Sequence, residues 1–173
     1  MNPDEFVVVP DGWLSRGQAY VRGDGAQMVV AGGIPGEKVK VKITNRSPHQ
    51  VFAKVMKPVG EAHPDRVNPP CDRYIPCGKC PLMHLNPAGV ERAQRGVLEA
   101  ALKDAGLKLP VEPIHPGGHG DVIHQMELLT GYSDQRSLRI GVHGADGREV
   151  VPVPHCLVVT PMLDRKSTRL NSS

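Results

Sequence analysis

Along the first third of the chain, apolar residues recur in brief runs suited to β-strands. Phe6-Val7-Val8-Val9, Gln18-Ala19-Tyr20-Val21 and Met28-Val29-Val30-Ala31 are such runs, broken by turn-forming residues that include Gly23-Asp24-Gly25. After Gly32-Gly33-Ile34-Pro35-Gly36 the chain alternates with period two. Val39, Val41 and Ile43 fall on one face of the predicted strand, and Lys38, Lys40 and Lys42 on the other. A fifth strand is expected over 50–57. Five short strands in about 55 residues predict a small barrel of the oligonucleotide-binding type over residues 1–60.

The period then changes. Residues 61–86 read as a polar, proline-punctuated linker followed by a cysteine-rich loop, and a helix is predicted immediately afterwards. Asn86 suits the N-cap, Pro87 the first helical position and Gly106 the C-terminal stop. Between them Val90, Ala93, Val97, Ala101 and Ala105 recur at helical spacing, widened by Leu98 and Leu102. Strands are expected again over 125–130, 138–142 and 149–153, as an antiparallel sheet packed on the helix. Together, 87–162 form one helix and a partial central β domain. Residues 163–173 change character abruptly and resemble translated adapter sequence, a non-native tail. The fold class expected is mainly β with α+β character.

Composition adds two constraints. The chain has 173 residues, enough for one ordinary domain or two small ones, and its 19 glycines and 17 prolines favour short strands and loops. No stretch approaches the roughly 18 apolar residues of a membrane span. The acidic start lacks the basic region and long apolar core of a signal peptide. A cytoplasmic, monomeric protein with no membrane partner is expected.

Charge is uneven. The whole chain carries +3, yet residues 12–58 hold eight basic side chains against Asp24 and Glu37. A basic barrel points to a phosphate backbone, with Arg16, Arg22, Lys38, Lys40, Lys42 and Lys54 as the candidate contacts. The plainer alternative is that alternating lysines only solvate one face of a half-buried strand. With six aromatic residues in the chain, base stacking has few platforms.

The densest chemistry lies between Cys71 and His84. Three of the four cysteines are spaced C-x5-C-x2-C as Cys71, Cys77 and Cys80, framed by Pro69, Pro70, Pro76 and Pro81. Gly78 stands between the paired thiols, where a positive φ or a close backbone approach to a cluster is most useful. Three readings fit these residue types. An iron–sulfur cluster takes four thiolates, with Cys156 as the fourth. A zinc site takes Cys71, Cys77, Cys80 and His84. A disulfide is the third, and such bonds are uncommon in the cytosol.

The basic strands bearing Gly32-Gly33-Ile34-Pro35-Gly36-Glu37, followed by C-x5-C-G-x-C with a histidine four residues on, resemble the iron–sulfur class of SAM-dependent RNA uracil-C5 methyltransferases that carry an N-terminal TRAM domain. The likeness spans about residues 12–162. It departs at Cys77-Gly78-Lys79-Cys80, where the family usually has two glycines, and at Met83, where it usually has glutamine.

The resemblance implies a 4Fe-4S cluster on Cys71, Cys77, Cys80 and Cys156, and an RNA partner, ribosomal or transfer. In that family a cysteine attacks carbon 6 of a flipped-out uracil, carbon 5 takes the methyl group of S-adenosylmethionine, and a glutamate helps to remove the proton. With all four cysteines on the cluster, no thiol is left over as nucleophile, and no glycine-rich strand-to-helix loop for S-adenosylmethionine is present. The expectation is an RNA-binding and cluster-binding N-terminal part. The SAM-binding Rossmann domain and all catalytic residues lie outside this chain. The alternative is a zinc-stabilised nucleic-acid-binding module without enzymatic activity.

Overall fold

The computed structural model describes residues 4–23, 25–114, 127–132, 138–145 and 149–159. The chain divides into two compact units, one of Met1–Pro70 with Cys80–Pro116 and one of Cys71–Lys79 with Gly117–Ser173.

In the first unit β1 (Glu5–Val8), β2 (Gly12–Trp13), β3 (Ala19–Val21), β4 (Gln27–Ala31), β5 (Val39–Arg46) and β6 (Gln50–Pro58) form one sheet in the order β1-β5-β6-β4-β3-β2. The described pairs are antiparallel except β4 with β6. The alternation on β5 holds: Val39 and Val41 are fully buried while Lys40 and Lys42 stay half-exposed. These valines join Ala19, Val30 and Ala53 in the core, with Phe6, Val8, Trp13, Val21, Met28 and Val55 against it. The expected barrel is a correction in part. Among the described residues the strands form a six-stranded sheet with β1 and β2 at its edges, and no ladder closes one edge on the other. The two-residue strand β2 escapes sequence reading because it is too short to show a period.

The helix α2 (Pro87–Asp104) has the predicted start. The Asn86 side chain accepts from the Gly89 N–H at 2.7 Å, and Pro87 occupies the first turn. At the other end Gly106 sits one residue beyond the cap, with φ of 71°. Its N–H donates to Lys103 O at 3.0 Å and that of Leu107 to Leu102 O at 2.9 Å, the paired bonds of a Schellman stop. The sequence places this helix under the C-terminal sheet. The structure groups it with the first unit, where Ala93 and Val90 pack with Ile34, Leu82, Leu85 and Trp13. Gly96 explains the contact, since a Cβ there would stand 3.3 Å from Trp13 Cδ1. Only the first half of the predicted stripe is covered, and Leu98 remains largely exposed.

The second unit contains the short helix α1 (Tyr74–Cys77) and a sheet of β7 (Leu129–Tyr132), β8 (Leu138–His143) and β9 (Val150–Val151), antiparallel in that order. Tyr74, Val142, Val151, Val153 and Val159 are its buried apolar residues among those described. The strand expected over 125–130 begins at Leu129, with residues 125 and 126 outside the described residues. The tail at 163–173 also lies outside them.

Candidate metal centre

The cysteine loop is held by its own backbone. Cys71 O accepts the Tyr74 N–H at 3.1 Å, Arg73 O that of Cys77 at 2.8 Å and Tyr74 O that of Gly78 at 3.0 Å, so α1 is one tight turn ending at Gly78. Gly78 has φ of 67°, as its position predicts, but the close approach it permits is to protein. A Cβ there would fall 2.6 Å from Ala145 Cβ. The Ala145 N–H also donates to Pro76 O at 2.8 Å, tying the loop to the turn after β8.

Within this unit the thiols influence one another. Burial raises the pKa of Cys77 most, the Lys79 backbone works against it, and the negative charges of Cys156 and Cys71 push it up further. Three of the four predicted ligands thus share one electrostatic neighbourhood, although Cys156 is 79 residues from Cys77 in sequence. All four cysteines are half-buried and no disulfide joins them. Arg73 Nε is buried without a hydrogen-bond partner, and the Asp72 carboxylate stands 3.5 Å away. Four cysteine side chains are the donor type that an iron–sulfur cluster or a zinc ion takes. Among the described residues, however, no group of three or more His, Cys, Asp or Glu side chains is drawn together tightly enough to hold a metal ion.

His84 has a different role from the one its spacing suggests. It is 1% exposed, its Nε2 lies 3.0 Å from Gly33 O, and its ring centroid is 6.5 Å from that of Trp13. Burial lowers its pKa to about 4, against a smaller opposing effect of the Gly33 and Pro81 backbone. It is a neutral core histidine fastening the chain after Cys80 to the turn between β4 and β5.

That turn is the part sequence reasoning missed. Glu37 is buried, and its carboxylate accepts from Arg66 Nε at 2.7 and 3.1 Å, from Arg66 Nη2, and from the His63 N–H at 3.0 Å. Burial acts to raise its pKa, and the Arg66 and His63 hydrogen bonds outweigh that, leaving it lowered. Arg66 Nη2 also donates to Gly32 O at 2.7 Å. Asp65 is held likewise by Arg92, whose Nε donates at 2.9 Å. The stretch read as a polar, proline-punctuated linker is stapled at Glu37 and at α2. The glycine run was a visible signal of a special turn, but nothing local marks Arg66 as the partner.

The candidate phosphate contacts are divided. Lys42 and Lys54 face each other across β5 and β6, and Lys40 faces Lys57 in the same ladder. Lys40 Nζ is 2.8 Å from Glu5 Oε2. Lys38 is exposed just before β5, whereas Arg16 and Arg22 lie beside β2 and β3, strands at the other end of the sheet order. Arg22 stacks over the Tyr20 ring at 5.9 Å.

The chain thus holds a β-sheet unit whose strands β5 and β6 carry facing lysines, and a second unit that carries Cys71, Cys77 and Cys156. No family model matches the chain. Curated relatives do match it over most of its length. A 23S rRNA (uracil(1939)-C(5))-methyltransferase RlmD of Photorhabdus laumondii is 29% identical over 167 residues, 95% of this chain and 38% of that protein. The protein of the same description from Vibrio cholerae is 31% identical over 150 residues, 84% of this chain and 33% of its own length. One from Shewanella sediminis is 28% identical over 154 residues. The chain belongs to the RlmD family and spans about a third of the length of these relatives.

Proposed function

We propose that this chain is the RNA-gripping and cluster-binding part of a SAM-dependent methyltransferase acting on carbon 5 of a uracil in 23S ribosomal RNA. The likeness to RlmD proteins over 84–95% of the chain is the observation that carries the reading. The six-stranded sheet of the first unit serves as the TRAM-type RNA-binding part. Lys38, Lys40, Lys42 and Lys54 hold RNA phosphates from one group of strands, and Arg16 and Arg22 from another. A face on which Lys42 opposes Lys54 is mildly unstable by itself and is relieved by a bound anion. In this reading Cys71, Cys77, Cys80 and Cys156 hold a 4Fe-4S cluster. When bound, the cluster supplies the positive iron charge that lets repelling thiolates stay ionised inside the protein. Its role in this reading is to pin the loop and shape the RNA site.

The carbon attack and methyl transfer belong to residues outside this chain, and the polypeptide alone is expected to bind RNA without methylating it. The zinc alternative is weakened by a specific observation: His84 Nε2 is already engaged at Gly33 O and its ring is buried against Trp13. Binding of a 23S ribosomal RNA fragment to protein purified without oxygen tests the reading. The expected result is affinity that falls steeply with salt, together with iron and sulfide in equal amounts. Salt-independent binding, or a metal-free protein, would contradict it.

A further inference from the structure

The core of the first unit takes one face of its sheet. Ala19, Val30, Val41 and Ala53 supply that face, so their neighbours along each strand point the other way. On the outer face the register forms a row. Tyr20 on β3 stands opposite Val29 on β4, Val29 beside Phe52 on β6, and Phe52 opposite Asn45 on β5. Among the described residues, the side chains packed on the two core clusters include neither ring. Tyr20 and Phe52 are both partly open to solvent.

Basic side chains frame this row. β6 continues without irregularity from Phe52 to Lys54, which puts the two on one face, because the nearby register shift falls on β5 between Ile43 and Asn45. Lys54 opposes Lys42, and Lys57 opposes Lys40 further along the ladder. At the other end the Arg22 guanidinium lies over the Tyr20 ring, 5.9 Å from its centroid, and Nη2 donates to the Tyr20 hydroxyl at 3.4 Å. Gly12 makes room for that ring, since a Cβ there would stand 3.0 Å from Tyr20 Cε1. These five basic residues outnumber the acids bonded to them, Glu5 at Lys40 Nζ and Asp11 at the Arg22 N–H.

We propose that this outer face binds a single-stranded segment of RNA, with Phe52 as the platform on which an unpaired base stacks and with Lys42, Lys54 and Arg22 holding the phosphates on either side of it. The inference rests on the RNA reading above and narrows it from a phosphate backbone to a strand with splayed bases. Lysines alone do not separate single strands from duplex, because both present phosphates. An aromatic ring set among them does, since a base reaches it only after leaving its own stack. Adjacent strands lie about 4.8 Å apart, so the row from Tyr20 to Asn45 spans about 14 Å, enough for more than one nucleotide.

The test uses the full 173-residue chain, purified without oxygen, and three probes of equal length: oligouridylate, the same backbone without bases, and oligouridylate paired with its complement. Parent, F52L and F52Y are titrated with each, and circular dichroism checks folding. F52L keeps an apolar side chain and removes the ring, whereas F52Y keeps the ring.

The parent is expected to bind oligouridylate about tenfold more tightly than the strand without bases. F52L should lose that preference and bind the duplex as the parent does, and F52Y should retain the preference. The comparison of the two single strands in the parent needs no variant, so it decides the matter if F52L does not fold. Equal affinity of the parent for both single strands, a folded F52L that keeps the preference, or one that weakens all three probes alike overturns the proposal while leaving the RNA reading intact. A parent that binds none of the probes removes the RNA reading, and this proposal with it.

Discussion

The two units treat charge near their interiors in opposite ways. In the first, the buried Glu37 carboxylate meets a guanidinium and a backbone N–H, so the protein supplies its own counter-charge. In the second, burial first, and then the nearness of Cys156 and Cys71, pushes half-buried Cys77 toward the neutral form. The first arrangement is complete within the protein. The second leaves Cys77 a neutral thiol, which must give up its proton before it can ligate a metal.

Breaking the completed side should have the largest effect. R66A leaves Glu37 buried without its partner and should cost about 3–5 kcal/mol in urea unfolding. Trp13 is the natural reporter, as the single tryptophan of the chain and a neighbour of both core clusters.

Next comes acid. His84 titrates at about 4 when folded and near 6.5 when free, so the unfolded chain binds the extra proton first. Stability is full above pH 6.5 and falls between there and pH 4, by about 3 kcal/mol in all. Glu37, with its folded pKa lowered, adds its loss below its ordinary value of 4.5. Urea midpoints across this range should therefore slope in wild type, and the upper part of the slope should flatten in H84N. A flat wild-type profile between pH 6.5 and 4 would contradict the buried neutral imidazole.

These effects show what was legible beforehand. The β5 alternation and both ends of α2 could be read because period, cap and stop are local. The Glu37–Arg66 staple could not, because its halves are 29 residues apart and either one alone reads as a surface charge. His84 was visible as a possible ligand for the same reason: spacing gives proximity along the chain, while burial against Trp13 is decided by tertiary packing. The side of the sheet that covers α2 also escaped, since an apolar stripe does not name what it packs on. Among the thiols, Cys156 could be proposed from ligand count. Its nearness to Cys77 comes from the fold.

Smaller changes sharpen the second unit and the sheet face. G78A forces a Cβ toward Ala145 at positive φ and should cost about 2 kcal/mol, read as loss of the loop's protection from proteolysis. K42A should leave stability within about 0.5 kcal/mol, since it removes a like-charge cross-strand pair. It should also reduce the salt slope of RNA binding by about one. An unchanged slope would remove Lys42 from the phosphate contacts.

The most direct measurement is iron and sulfide content, without oxygen, of wild type, C156A and H84N. Four thiolates around a cluster predict about four irons and four sulfides in wild type, loss in C156A and retention in folded H84N. Full iron in C156A, or one zinc that disappears in H84N, would contradict the account.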